Sequence, residues 1–127
     1  MIYGIGTDLV EIARLERAYQ RHGERLLSRI LAPAERTGFI TAPEPARFLA
    51  KRWAVKEAFA KATGLGVRPP LALSSVWLEH DALGRPELRF DEPLTAWLAQ
   101  RGIGRASVSV SDERTMALAF VVLERLD

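Results

Sequence analysis

The chain has 127 residues, 48% of them apolar and 27% charged, with a formal net charge of +2 and a pI near 9.4. That length supports one domain over residues 1–127 with a real core, and the composition excludes a disordered chain. Cysteine is absent, which excludes disulfides and thiol chemistry; no apolar run approaches a membrane span and no signal-peptide pattern opens the chain, so a cytoplasmic protein is expected.

Met1 to Gly6 is short, apolar and punctuated by glycine, which predicts a buried strand. Thr7 and Asp8 close it. Asp8 reads either as the N-cap of the next helix, worth about 1 kcal/mol, or as a carboxylate held at the mouth of a site. From Glu11 to about Tyr19 the pattern is helical, with Ile12, Leu15 and Tyr19 on one face. Arg14, Arg17, Arg21 and Arg25 recur at spacings of three and four up to and across a break at His22-Gly23, followed by Arg29 and Arg36. They make either a solubilising surface or a docking face for an acidic partner. Pro33 opens a short helix, and Thr41 to Pro45 is a loop.

The stretch from Arg47 to Gly66 is the longest regular segment. It is rich in Ala, Lys, Glu and Leu, has no internal proline, and two glycines stop it, which predicts a helix. At about 100° per residue, Phe48, Val55, Phe59 and Ala62 form one apolar stripe, while Leu49, Trp53 and Ala60 form a second. Two stripes predict burial against two neighbours. Arg52 and Lys56 lie between the stripes on one side. On the other lie Arg47, Lys51, Glu57 and Lys61, floored by Ala50, Ala54 and Ala58. Such a floor lets a ligand or another chain come close; the plainer reading is a solvated face with a Glu57–Lys61 pair worth about 0.3 kcal/mol.

Gly64 and Gly66 read either as a C-cap or as a loop that exposes backbone N–H groups to a phosphate. Val67 to Pro70 is extended. Ser75 to Asp81 and Glu87 to Phe90 form a hairpin around Gly84. Asp91 opens a helix with Leu94, Trp97 and Leu98 inward, ending at Gly102 to Gly104. Ser107 to Ser111 alternates as a strand with one polar face, Asp112 to Thr115 turns, and Met116 to Leu123 is the last and most buried strand. The order predicts an α+β fold, an antiparallel sheet packed on a long central helix.

With no cysteine and only His22 and His80, a zinc site or a Ser-His-Asp triad is improbable. What remains is carboxylates, lysines, arginines and a glycine loop, a set that suits a hard cation such as Mg²⁺ and a polyphosphate.

Gly6-Thr7-Asp8 with Arg14, followed by Arg47 to Gly66 with its W-A-x-K-E-A core, resembles the two signatures of the bacterial holo-[acyl-carrier-protein] synthases, a family of 4′-phosphopantetheinyl transferases. The turn Leu83 to Pro86 and the end from Val108 to Glu124 are also similar, so the resemblance covers essentially the whole chain. It implies a Mg²⁺-dependent transferase, with Mn²⁺ as an alternative, that moves phosphopantetheine from coenzyme A to a serine of acyl carrier protein and releases 3′,5′-ADP. Asp8 and Glu57 match the family's metal carboxylates, and Lys61 matches its phosphate-binding catalytic lysine. Arg52, Lys56, Gly64 and Gly66 fall where the family grips the nucleotide end of coenzyme A, and Arg85 and Pro86 fall near the adenine. Arg14, with Arg21 and Arg25, falls on the helix that meets the carrier protein. A homotrimer with sites at subunit interfaces is implied as well.

One position departs from the pattern. Many members carry a histidine opening the strand where this chain has Ser107, which cannot accept a proton in the same way. Glu57, directly or through a water on the Mg²⁺, is then the expected proton acceptor, with Asp112 a weaker candidate. The alternatives are a non-catalytic trimeric binder that lost its chemistry with the Ser107 change, and a small nucleic-acid binder, which only the pI favours.

Overall fold

A computed structural model describes residues 1–126. In chain order these form β1 (Ile2–Glu11), α1 (Ile12–His22), α2 (Glu24–Ile30), a 3₁₀ turn (Pro33–Glu35), α3 (Arg36–Thr41), α4 (Pro45–Thr63), a second 3₁₀ turn (Leu73–Ser75), β2 (Val76–His80), β3 (Pro86–Phe90), α5 (Glu92–Gln100), β4 (Ile103–Asp112) and β5 (Met116–Arg125). Strands β1, β5 and β4 make an antiparallel sheet in that order, and β2 and β3 make a separate hairpin. The α+β fold with an antiparallel sheet on a central helix is therefore what the chain adopts.

Helix α4 organises the molecule. Leu49, Val55 and Phe59 are fully buried, and so are Ala50, Ala54 and Ala58. The alanine floor expected to admit a ligand is thus buried within the chain itself, with β1 lying against Ala58. A Cβ built on Gly4 would lie 2.0 Å from Ala62 O, and one on Gly6 would lie 2.0 Å from Ala58 O. Only glycine lets strand backbone lie this close to a helix, and alanine is the matching choice beneath it. On the other flank Phe59 meets Phe90 of β3 with ring centroids 5.2 Å apart. Phe39 of α3 bridges edge-on between Tyr19 of α1 and Phe48 of α4.

Two strands differ from the sequence reading. β1 does not close at Thr7-Asp8; it continues to Glu11, because β5 pairs with it to Glu11↔Met116. Asp8 is therefore mid-strand, opposite Ala119, and is not a helix cap; α1 starts after Glu11 with no side-chain cap. β4 likewise begins at Ile103, so Ser107 lies in its middle rather than at its start.

The last strand is buried on one side only. Ala117, Ala119, Val121 and Leu123 face α4, while Leu118 and Phe120 are exposed. By register they share that outer face with Ile5, Thr7 and Leu9 of β1 and with Ser107, Ser109 and Ser111 of β4. A single helix layer covers one face of the sheet and leaves the other bare. Asp91 behaves as expected, its Oδ1 accepting from Leu94 N at 3.0 Å to cap α5.

Candidate active site at the junction of β1 and α4

The close approach of β1 to α4 brings Asp8 beside Glu57 and Lys61. Lys61 Nζ reaches across from α4, donating to Thr7 O at 2.8 Å and to Asp8 Oδ1 at 3.3 Å. Its side chain is 56% exposed and that of Asp8 only 16%. Asp8 Oδ2 is buried and accepts no hydrogen bond among the described residues. A buried carboxylate oxygen without a donor costs about 1–3 kcal/mol or more, so this one marks a place built for something else.

Glu57 is half-buried. Burial pushes its carboxyl above the ordinary carboxylate range and the Asp8 charge pushes it further; Lys61, Arg14 and Arg29 pull the other way without cancelling the rise. Two crowded carboxylates with an orphaned oxygen fit a cation, and an all-oxygen donor set selects a hard divalent ion. Among the described residues no cluster of three or more His, Cys, Asp or Glu could hold a metal. Asp8 and Glu57 are the two carboxylates at this place, a number that would suit an ion completed by other oxygen donors.

Around this centre the other expected site residues divide. Arg14 of α1 stands with its guanidinium 5.6 Å from the centroid of Trp53 and acts on Glu57. Arg21 is on α1, but Gly23 ends that helix, so Arg25 belongs to α2 and the series turns a corner. Arg52 is mostly enclosed. Its guanidinium stacks on Phe48 at 4.2 Å, and its Nε lies 3.4 Å from Glu35 Oε2, too poorly aligned for a hydrogen bond.

Lys56 corrects the sequence reading. It has no exposed surface. Its ammonium is 2.6 Å from Glu35 Oε1 and donates to Ile30 O at 2.5 Å, so it grips no nucleotide in this arrangement. Burial lowers its proton affinity and Glu35 opposes that fall. The glycine loop is also corrected in part. Gly64 adopts the left-handed conformation with φ 76°, its N–H bonded to Lys61 O. Gly66 N–H bonds to Ala60 O, and Leu65 N–H to Thr63 Oγ1. All three donors are spent on closing the helix, so the loop offers close backbone approach, not N–H groups, to a phosphate. Asp112, the weaker proton acceptor, pairs with Arg47 at 2.9 Å and Lys51 at 3.6 Å, on the N-terminal half of α4 away from Glu57.

Arg85 and Pro86 line an open cleft of about 550 Å³ with Arg89 and Ser107. The cleft is not beside Asp8. Ser107 is in register with Val122 and Ile5 on the outer face of the sheet, whereas Asp8 is in register with Ala119 and Val110 on the inner face. One chain therefore carries the two halves of the expected site on opposite sides of its sheet.

Sequence reasoning had Arg29 only as one of the arginine series and missed Arg68 and Glu35. Arg29 was legible as the arginine one turn after Arg25. Arg68 lies near Gly66, about 3.9 Å from where a Cβ would stand, and with Arg29 lines a cavity of about 410 Å³. No sequence signal separates Glu35 from a surface acid, yet it is 3% exposed.

Residues 4–119 match the family model of the 4′-phosphopantetheinyl transferase superfamily. The chain belongs to that superfamily and is an enzyme of the holo-[acyl-carrier-protein] synthase kind. The holo-[acyl-carrier-protein] synthase of Laribacter hongkongensis is 56% identical over 124 residues, covering 98% of this chain and 99% of its own length. The crystal structure of the Neisseria meningitidis synthase superposes with a TM-score of 0.96 at 47% identity, over 98% of this chain and 100% of that one. The Bacillus anthracis synthase in complex with CoA (3′,5′-ADP) gives a TM-score of 0.82 at 29% identity, over 99% of each chain. No helix among the described residues is long and apolar enough to cross a membrane.

Proposed function

We propose that the protein catalyses Mg²⁺-dependent transfer of 4′-phosphopantetheine from coenzyme A to a serine hydroxyl of acyl carrier protein in the cytoplasm, releasing adenosine 3′,5′-bisphosphate. The observation that carries this reading is the unpartnered Asp8 Oδ2 beside the crowded Glu57 carboxyl, with the exposed Lys61 ammonium next to both. Asp8 and Glu57 would hold the ion, which would supply positive charge to the breaking phosphate linkage; Mn²⁺ would suit the same donors. The serine oxygen attacks the phosphorus that bears the pantetheine arm. A new P–O bond forms as the bridging P–O bond breaks, and its electron pair leaves with the bisphosphate. Lys61 meets the charge on the departing phosphate. Glu57, directly or through a water on the ion, takes the serine proton. Arg14, Arg21 and Arg25 steer an acidic carrier protein to the mouth of the site.

The active assembly is proposed to be a homotrimer. The bare apolar sheet face, with Ile5, Leu9, Leu118 and Phe120 exposed, supports association of copies through that face. Association would also let Arg85, Pro86 and Ser107 of one protomer join Asp8, Glu57 and Lys61 of another. Sedimentation at working concentration tests it, and a monomer would remove this part of the reading.

The transfer itself is tested by intact mass of an apo carrier protein incubated with the protein, coenzyme A and Mg²⁺, with an EDTA control. The expected result is a phosphopantetheine-sized gain that EDTA abolishes, with the bisphosphate recovered by anion exchange. A gain that survives EDTA would sink the metal requirement.

A further inference from the structure

Lys56 has no exposed surface, and the chemistry above does not use it. It is adjacent to Glu57 on α4 but turns into the core between α2, the turn Pro33–Glu35 and β2. Glu35 is the hub of that corner. Its Oε1 accepts from Lys56 Nζ at 2.6 Å and from Ala32 N at 3.0 Å; its Oε2 accepts from Leu78 N at 3.3 Å. Lys56 Nζ also donates to Ile30 O, the last residue of α2. Replacing such a buried pair by apolar residues of similar volume is often neutral or stabilising, so bulk stability is a weak reason for it to be there. What it supplies is direction, because hydrogen bonds between fixed atoms hold one helix end where apolar packing would let it slide.

The helix end that it holds carries Arg29. Arg29 is exposed, next to Ile30, and its charge reaches Glu57. Lys56 Nζ meets Ile30 O inside, while Arg29, the residue before Ile30, stands outside at the cavity it lines with Arg68.

We propose that Lys56 and Glu35 are a positioning pair that clamps the last turn of α2 to α4 and so holds the Arg29 guanidinium at the cavity it shares with Arg68, where it meets an anionic group of an arriving substrate. The functional part rests on the transferase reading, and the test separates the two. The double variant E35Q/K56M removes the pair and keeps the volumes but leaves Arg52 Nε, 3.4 Å from Glu35 Oε2, without its carboxylate, so its thermal unfolding is measured first and K56M, which keeps Glu35 beside Arg52, is run next to it. Amide hydrogen exchange over residues 27–31 should rise about tenfold in E35Q/K56M while β1 and β5 stay protected. Unchanged exchange there overturns the clamp. In phosphopantetheine transfer, E35Q/K56M should lower kcat/KM about tenfold in the wild-type background and less than about twofold in an R29A background. An equal loss in both backgrounds overturns the action through Arg29. KM measured separately for coenzyme A and for carrier protein identifies which substrate brings the anion. A wild-type protein that transfers nothing would retire the transferase reading, while the exchange measurement would still decide the clamp.

Discussion

Replacing Glu57 by glutamine should make the protein more stable and nearly inactive. Glu57 sits with a raised proton affinity, from burial first and from Asp8 second, so its ionised form is held at a cost. Between the ordinary value of 4.5 and the raised one, the folded chain binds more protons than the unfolded chain. Unfolding free energy therefore falls as pH rises through that window, and the deficit persists above it. Glutamine keeps the shape and removes the charge. The site is half open to solvent, which screens the repulsion, so the gain belongs to the usual range for relieving a functional site, about 0.5–2 kcal/mol. For a 127-residue chain each kcal/mol is worth roughly 4 °C in Tm. The assay is thermal unfolding of wild type and E57Q at fixed protomer concentration from pH 4 to pH 8, with and without Mg²⁺. The E57Q advantage should be present near pH 7 and vanish below the ordinary carboxylate range. Mg²⁺ should raise the wild-type Tm and leave E57Q nearly unmoved, because an ion that binds only the folded state stabilises it. Transfer by E57Q should fall by about 10²–10⁴ as the proton acceptor is lost. A variant less stable than wild type at pH 7, or a gap that does not change with pH, would refute the reasoning.

Lys61→Ala should lower kcat by about 10²–10³ with little change in KM for carrier protein, since the charge it meets develops only as the bridging bond breaks; steady-state kinetics check this, and equal effects on both would make Lys61 a ground-state binder. Gly6→Ala places a Cβ 2.0 Å from Ala58 O and should cost about 3 kcal/mol or more, read in urea unfolding, because helix backbone cannot yield as a side chain does. Neutralising Arg21 and Arg25 together should raise KM for carrier protein, leave KM for coenzyme A unchanged, and flatten the salt dependence of transfer between about 50 and 200 mM.

Much of the site was legible before any coordinates. The helix from Arg47 to Gly66 announces itself by propensity and by its glycine stop, and those are local properties. Donor chemistry follows from residue type alone, so carboxylates without sulfur or a credible imidazole pointed to a hard ion and phosphate. Where the reading went astray, the missing fact was long-range. Asp8 looked like a cap because a helix follows it, and only pairing with β5 turns Thr7 to Glu11 into strand. The family resemblance put Lys56 among the nucleotide contacts, and neither it nor a helix wheel shows that α2, β2 and Glu35 close over the side chain.

From sequence alone came the central helix, the order of strands and helices without the full extent of β1 and β4, the glycine and alanine spacings that let β1 and α4 touch, and the kinds of atom available for chemistry. These depend on each residue and its near neighbours. The tertiary structure decided which charges meet. It put Asp8 against Glu57 and Lys61, buried Lys56 with Glu35, spent the glycine-loop donors on the helix end, and placed Ser107 on the far side of the sheet. An electrostatic interaction depends on distance and burial, and neither is set until segments far apart in the chain have packed.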